Sequence, residues 1–330
     1  MKRKVILGLF IVFVSLFTGC FTKSKDDILT NLKEKIEKSD SYHVVGDLEI
    51  MNNEDSYKYD IDVSFKKDDM FRVSLINKTN SHQQIILKNQ EGVYVLTPSL
   101  NKSFKFQSEW PYNNSQSYLL QNLINDIEND KDVKIEQKDD MYIITTTVTY
   151  SNNKNLVNQK IYVDQNGNIK TVEVLNEEGI VKIKMNFETI DLGATFEDSY
   201  FSLNTNMNTV TIEETLKEIE DIIYPMYMPS NTYLESEDTI DLEEGERIIL
   251  TFAGDSPFMI VEETVSVSEN NDIIPVYGDP ELLVDTFGNL TSNSASWISN
   301  GIEYYAVSEV LESDELLKVI QSISVLPVGK

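Results

Sequence analysis

Side chains that do bond chemistry are scarce in this sequence of 330 residues. It holds one cysteine, Cys20, and two histidines, His43 and His82. Neither histidine has a cysteine or a second histidine at metal-ligand spacing. No Gly-x-Ser-x-Gly elbow, His-Glu-x-x-His helix or phosphate-cradling glycine loop occurs. Acids are plentiful, so a carboxylate pair spaced for glycoside hydrolysis arises by chance and says little. The densest group is Glu235, Glu237, Asp238, Asp241, Glu243, Glu244 and Glu246. It lacks the alternation and glycine of a calcium loop and reads as a solvated acidic loop. The expectation is therefore no catalytic residue, no metal and no cofactor: a protein that binds without turning its ligand over, and not an enzyme.

Cys20 has a separate reading. Lys2, Arg3 and Lys4 precede an apolar run from Val5 to Phe17, followed by Thr18-Gly19-Cys20. At ~1.5 Å rise per residue that run falls short of a ~30 Å hydrocarbon layer. It has the layout of a secretory signal. The segment resembles the lipobox of bacterial lipoproteins. That resemblance implies removal of residues 1–19, acyl chains on Cys20, residues 20–25 as a lipidated tether, and a chain held on the outer face of a membrane. Two acyl chains hold stably where one is marginal.

The charge balance excludes one class of partner. With 28 Lys+Arg against 55 Asp+Glu, the net charge is −27, and losing residues 1–19 makes it more negative. Such a field repels phosphate backbones, so nucleic acid is not a partner. Hydrophobic residues make up 41% and glycine numbers only 13, which suits a packed core over disorder.

Any surface must be positioned by the remaining pattern. Ile28, Leu29, Leu32 and Ile36 recur at helical spacing and predict a helix over 26–38. The period then drops to two. Tyr57, Tyr59, Ile61, Val63 and Phe65 alternate with polar residues, as do 142–150 and 181–188. Further strands are expected near 42–50, 70–77, 82–88, 92–97, 102–107, 131–137, 156–163 and 169–176, about eleven antiparallel strands in all. An apolar stripe of Leu119, Leu120, Leu123, Ile124 and Ile127 predicts a helix over 115–128, capped by Asn113-Asn114-Ser115. A polar stretch near 202–210 marks a boundary. Beyond it come a helix at 212–223, strands at 247–254, 257–266, 283–287, 294–298 and 302–309, and a helix over 313–324. The class is α+β: residues 26–204 form a curved antiparallel sheet with covering helices, and 211–330 a small α+β domain. A one-sided sheet must cover its apolar face, so an apolar hollow is expected between sheet and helices. Trp110, Tyr118, Leu119, Leu123, Tyr59 and Ile61, with Trp297 in the second domain, are the expected ligand or partner surface.

The stretch Glu91-Gly92-Val93-Tyr94-Val95-Leu96-Thr97-Pro98 through Asn101-Lys102-Ser103-Phe104, then Trp110-Pro111, Tyr118-Leu119-Leu120 and Gln159 to Asp164, resembles LolA-like lipoprotein carriers over about 26–203. Behind a lipobox it is similar to sporulation lipoproteins of Gram-positive spore-formers, the GerS type included. The two-domain plan also resembles RseB-like proteins. Tyr224 to Pro229, Trp297 to Tyr305 and Glu315 to Ile323 are similar to a small sporulation-associated domain. The resemblance implies a membrane-anchored scaffold of the spore envelope whose partner is a protein, such as a cortex-modifying amidase or a signalling protein. Acyl chains, or restraint of an anti-sigma factor, are its alternatives.

Overall fold

The computed structural model describes residues 25–52, 55–207, 219, 221–265, 272–283 and 285–323. The leader, Cys20 and most of the helix expected at 212–223 lie outside the described residues. No helix among the described residues is long and apolar enough to cross a membrane.

Helix α1 (Lys25–Glu37) opens the described chain. It leads into β1 (Ser41–Asn52), β2 (Asp55–Lys66), β3 (Met70–Asn77), β4 (Gln83–Asn89), β5 (Gly92–Thr97) and β6 (Lys102–Gln107). Helix α2 (Leu120–Asn129) follows, then β7 (Lys134–Lys138), β8 (Met141–Thr147), β9 (Leu156–Asp164), β10 (Ile169–Asn176) and β11 (Val181–Asp191). The two runs are antiparallel meanders joined by β1 against β11. All eleven strands expected from alternation are present, in the α+β class expected.

Gly46 shows how tightly β1 and β11 meet. A Cβ there would stand 2.1 Å from the Asn186 carbonyl oxygen, at the point where the β1–β11 register slips. Only glycine fits such a bulge without moving backbone.

The concave face is closed. From α1 come Ile28, Leu32 and Ile36; Leu119, Leu120, Leu123, Ile124 and Ile127 come from α2 and its first turn. They pack onto Tyr42, Val44, Ile61, Val63 and Val73 in one core. β4 and β5 are apolar without alternation because both of their faces are covered. Ile85, Leu87, Tyr94 and Leu96 point to the other side, under Phe201 and Met207 of the segment that ends in the short helix α3 (Leu203–Met207).

Helix α2 begins at Leu120, five residues later than expected, with no side-chain cap on it. The expected capping residues are used elsewhere. Ser115 Oγ donates to Asp126 (2.8 Å), and Asn114 Nδ2 to Glu281 (2.9 Å).

The second sheet runs β12 (Thr232–Asp241), β13 (Glu246–Gly254), β14 (Phe258–Thr264), β19 (Ile302–Val307), β18 (Ser294–Ser299), β17 (Phe287–Leu290) and β16 (Asp279–Leu282). Helix α4 (Ser313–Gln321) buries Leu316, Leu317, Val319 and Ile320 against it. Three expectations change here. Glu235, Glu237, Asp238 and Asp241 are not in a loop: they lie on edge strand β12, paired to β13. An edge strand wet on both faces has no apolar alternation to reveal it. The strand expected at 283–287 is replaced by one that starts at Phe287; ahead of it the Leu283 N–H donates to the Thr286 carbonyl at 3.1 Å. Finally, β15 (Asp272–Tyr277) joins the first sheet and pairs parallel with β6. That sheet thus has twelve strands, and its last member comes from beyond the expected boundary.

Candidate functional site

The expected surface residues are core residues. Trp110, Tyr118, Leu119, Leu123, Tyr59 and Ile61 are brought together in the core under α1 and α2, each less than 5% exposed. Trp110 meets Phe71 edge-on, with ring centroids 5.9 Å apart. Trp297 stacks on Tyr304 at 5.0 Å inside the second core. The expected hollow is filled by the protein's own side chains, so these residues do not present a face to a protein partner. Two of the seven also border open space: Trp297 edges a pocket of about 20 Å³, and Tyr118 lines a much larger cavity.

That cavity lies on the seam between the two sheets and measures about 460 Å³, within the ~300–1,000 Å³ usual for small-molecule sites. One wall is the end of β1 and β11, with Leu48, Ile50 and Ile183. A second is the loop carrying Tyr150, Asn153 and Asn155. The opposite wall is Pro280 to Leu283 with Phe287 and Leu290, together with Leu317, Lys318 and Gln321 of α4.

The seam is held by polar bonds between sequence-distant residues. Gln84 is buried in β4. Its Nε2 donates to the Phe287 carbonyl at 3.0 Å, and its Oε1 accepts from the Phe287 N–H at 2.6 Å and the Thr286 hydroxyl at 2.7 Å. A buried amide with both ends satisfied fixes register as well as stabilising the contact. Ser108 Oγ donates to Asp279 at 2.6 Å, and Lys102 pairs with Glu303 at 3.3 Å. With the β15–β6 pairing, these bonds hold the two cavity walls in place.

Charged side chains line the cleft as well: Glu177, Glu178, Lys182 and Lys318 toward its edges, and Glu281 among the polar groups of its wall. Asn114 and Asn152 donate to its Oε1 at 2.9 and 3.3 Å. Burial outweighs those bonds, and Asp279 adds like charge, so its carboxyl is pushed up to about 7. Asp126, on α2 itself, behaves similarly: burial pushes it up to about 6 although Ser115 and Gln159 both donate to it. The phenols of Tyr118 and Tyr150 are raised, first by burial and then by neighbouring acids, Glu281 among them. Tyr118 is 4% exposed, and its hydroxyl has no hydrogen-bond partner among the described residues.

His43 Nε2 pairs with Asp62 at 2.7 Å on the outer side of the sheet, while His82 begins the approach to β4; the structure does not bring the two together in one site. Among the described residues no group of three metal-binding side chains occurs. Sequence reasoning missed Gln84, Asn114, Asn152 and Glu281. One signal was available: Glu281 is a lone acid within the apolar run Pro280-Glu281-Leu282-Leu283, and a charge there needs a reason.

A family model described as YdcC-like sporulation protein matches residues 1–201. The sporulation protein YdcC of Bacillus subtilis strain 168 is 31% identical over 327 residues, covering 98% of this chain and 97% of that protein. Among solved structures, MucB in the Pseudomonas aeruginosa MucA/MucB complex is 13% identical, spans 92% of this chain and 99% of its own, and has a TM-score of 0.34. A LolA superfamily protein from Nitrosomonas europaea spans 56% and 99% at 13% identity, with a TM-score of 0.32. The Clostridioides difficile complex of the CwlD amidase with the GerS lipoprotein gives 15% identity, 53% and 97% coverage, and a TM-score of 0.23. At such scores these are loose likenesses, and they say nothing of what this chain binds.

Proposed function

Since this chain belongs to the YdcC-like sporulation protein family, we propose that it is a non-enzymatic lipoprotein that binds and supports a protein partner through the cleft between its two sheets. Cys20 carries the lipid anchor, and the folded chain stands on the outer face of the cell membrane. In a spore-former that is the space between the two forespore membranes. Residues 26–204 and 211–330 act as one binding unit on a short tether.

The observation that carries this reading is the cleft itself. Its walls come from both sheets and are locked by the Gln84 bonds, so they meet a partner already ordered, which lowers the entropic cost of association. Its interior offers side-chain amides, phenols and Glu281 over apolar walls, the mixed chemistry of recognition sites. An acyl-chain carrier needs an open apolar hollow, and the concave face has been spent on α1 and α2. The cortex-modifying amidase implied by the sequence resemblance is the first partner to try.

The test is cross-linking and affinity capture of the full-length chain, in detergent, from sporulating cells. The expected result is recovery of an envelope enzyme or signalling protein with the wild type, loss of it with Lys182→Glu on the cleft wall, and release of the Cys20→Ser chain from the membrane fraction. Capture that is indifferent to Lys182→Glu, or recovery of no envelope protein at all, contradicts the proposal.

A further inference from the structure

The cleft is furnished unevenly for charge. Glu281 accepts two hydrogen bonds, both from neutral amides and both on Oε1. Its Oε2 receives no hydrogen bond from a described residue. Lys182 and Lys318 line the same cavity, but Lys318 is held by Glu315 at 2.8 Å, and neither lysine forms an ion pair with this carboxylate among the described residues. The charged neighbour it does feel is Asp279, an acid. A carboxylate withdrawn from solvent is costly without a cation, and half-buried Glu281 is held in place by two amides instead. In the same cavity, near enough for the Glu281 charge to act on it, Tyr118 keeps a buried hydroxyl unpartnered among the described residues, and Tyr150 adds a second ring. Leu48, Ile50, Ile183, Leu283 and Leu317 supply apolar surface beside this polar end.

We infer that the cleft takes a protonated primary amine on an apolar stem, its ammonium set between Glu281 Oε2 and the Tyr118 hydroxyl. The inference deepens the proposed function and rests on the cleft being the binding site. An ammonium brings three donors and no acceptor. It can give one to Glu281, one to the phenol oxygen of Tyr118, and lie against the face of Tyr150, where the ring quadrupole favours a cation. An alcohol of the same shape has one donor and no charge to offset that of Glu281. A carboxylate ligand meets Glu281 and Asp279 head on. The stem lies along the leucine and isoleucine wall, and the net charge of −27 concentrates cations near the entrance. A lysine side chain has this chemistry.

The test is calorimetric titration of the full-length chain in detergent with three matched probes: the Nα-acetyl methylamides of lysine, norleucine and glutamate. Lysine and norleucine share a stem and differ in the amine. The expected order is lysine over norleucine by about tenfold or more, the scale of a hydrogen bond to a charged group, with glutamate weakest. Glu281→Gln keeps the acceptor for Asn114 and Asn152, and it should erase the lysine preference while leaving norleucine binding unchanged. Tyr118→Phe should cost the lysine probe about two- to fivefold, which provides a second reading if the Glu281 variant does not fold. Norleucine bound as tightly as lysine, glutamate bound best, or a lysine preference that survives both variants overturns the inference. If the preference is absent but the Glu281→Gln chain also fails to capture the protein partner, the cleft reading stands and the amine does not. If the preference is absent and capture is indifferent to Lys182→Glu as well, both fall.

Discussion

The concave face of the first sheet and the seam beside it have opposite characters. The face is lined by leucine, isoleucine and valine from two helices and many strands, and it closes completely; Leu119, Leu120 and Leu123 have no exposed surface. The seam is built from loop ends, amides, phenols and acids, and it leaves about 460 Å³ open. Apolar stripes on two helices fill a sheet as a close-packed core, because any void forfeits dispersion contacts. Polar groups that point in fixed hydrogen-bonding directions cannot fill space so freely. The difference teaches that in this protein apolar residues mark the closed core, and polar residues out of place mark the open cleft.

The sharpest way to break that comparison is to hollow out the closed side. Leu123→Ala should cost about 3–4 kcal/mol of stability by chemical denaturation and leave capture of the partner intact in the chains that remain folded. A cost below about 1 kcal/mol, or a gain of ligand binding at that face, would mean the face is looser than described.

Next in size is the seam lock. Gln84→Ala leaves the Phe287 N–H and the Thr286 hydroxyl without their buried acceptor, which should cost about 2–3 kcal/mol. Hydrogen exchange at Phe287 should speed up far more than exchange in β8 and β9. Equal protection at both places would show that the two sheets are held by something other than this amide.

Titration separates the regions at a smaller scale. Glu262 is buried in β14 and accepts the Ile223 N–H at 3.1 Å. Burial pushes its carboxyl from 4.5 up to about 7. The unfolded chain therefore releases this proton near pH ~4.5, while the fold keeps it until about 7. The stability contribution is complete below the lower value and is lost as pH rises through the window to about 7, after which it stays flat. Glu262→Gln should flatten the fall in thermal midpoint between about pH 4.5 and 7 while keeping an acceptor for Ile223; an unchanged slope assigns the fall to other acids, Glu281 and Asp126 first.

Smallest is the exposed pairing of Lys78 with Asp47 and Asp60. Hydrogen bonding to those two acids raises the Lys78 ammonium above its usual range, but the side chain stays in contact with solvent, which screens the pair. Lys78→Ala should shift stability by less than about 1 kcal/mol at physiological salt.

Much of the framework was legible in the sequence because it repeats locally. Period-two alternation in Tyr57 to Phe65 and Val181 to Glu188 marked β2 and β11, and the Leu119–Ile127 stripe marked α2. What escaped was set by distant partners. The chain from 272 to 277 carries Pro275 and no clean alternation, and it becomes a strand only because β6 offers an unpaired edge. Strand β12 hides behind its acids. The expected site residues were chosen as aromatic and apolar, and that choice selected the core. Asn114 and Ser115 read as a helix cap in isolation; their real partners, Glu281 and Asp126, lie 167 and 11 residues away.

The central claim is that partners are met at the seam. Placing a photo-cross-linking residue at Asn155, on the exposed cleft wall, and separately at Tyr233, on the exposed edge strand β12, tests it in sporulating cells. The account predicts a discrete adduct with an envelope protein from position 155 and none from position 233. An adduct from 233 with none from 155 would put the binding surface on the second sheet's edge and contradict it.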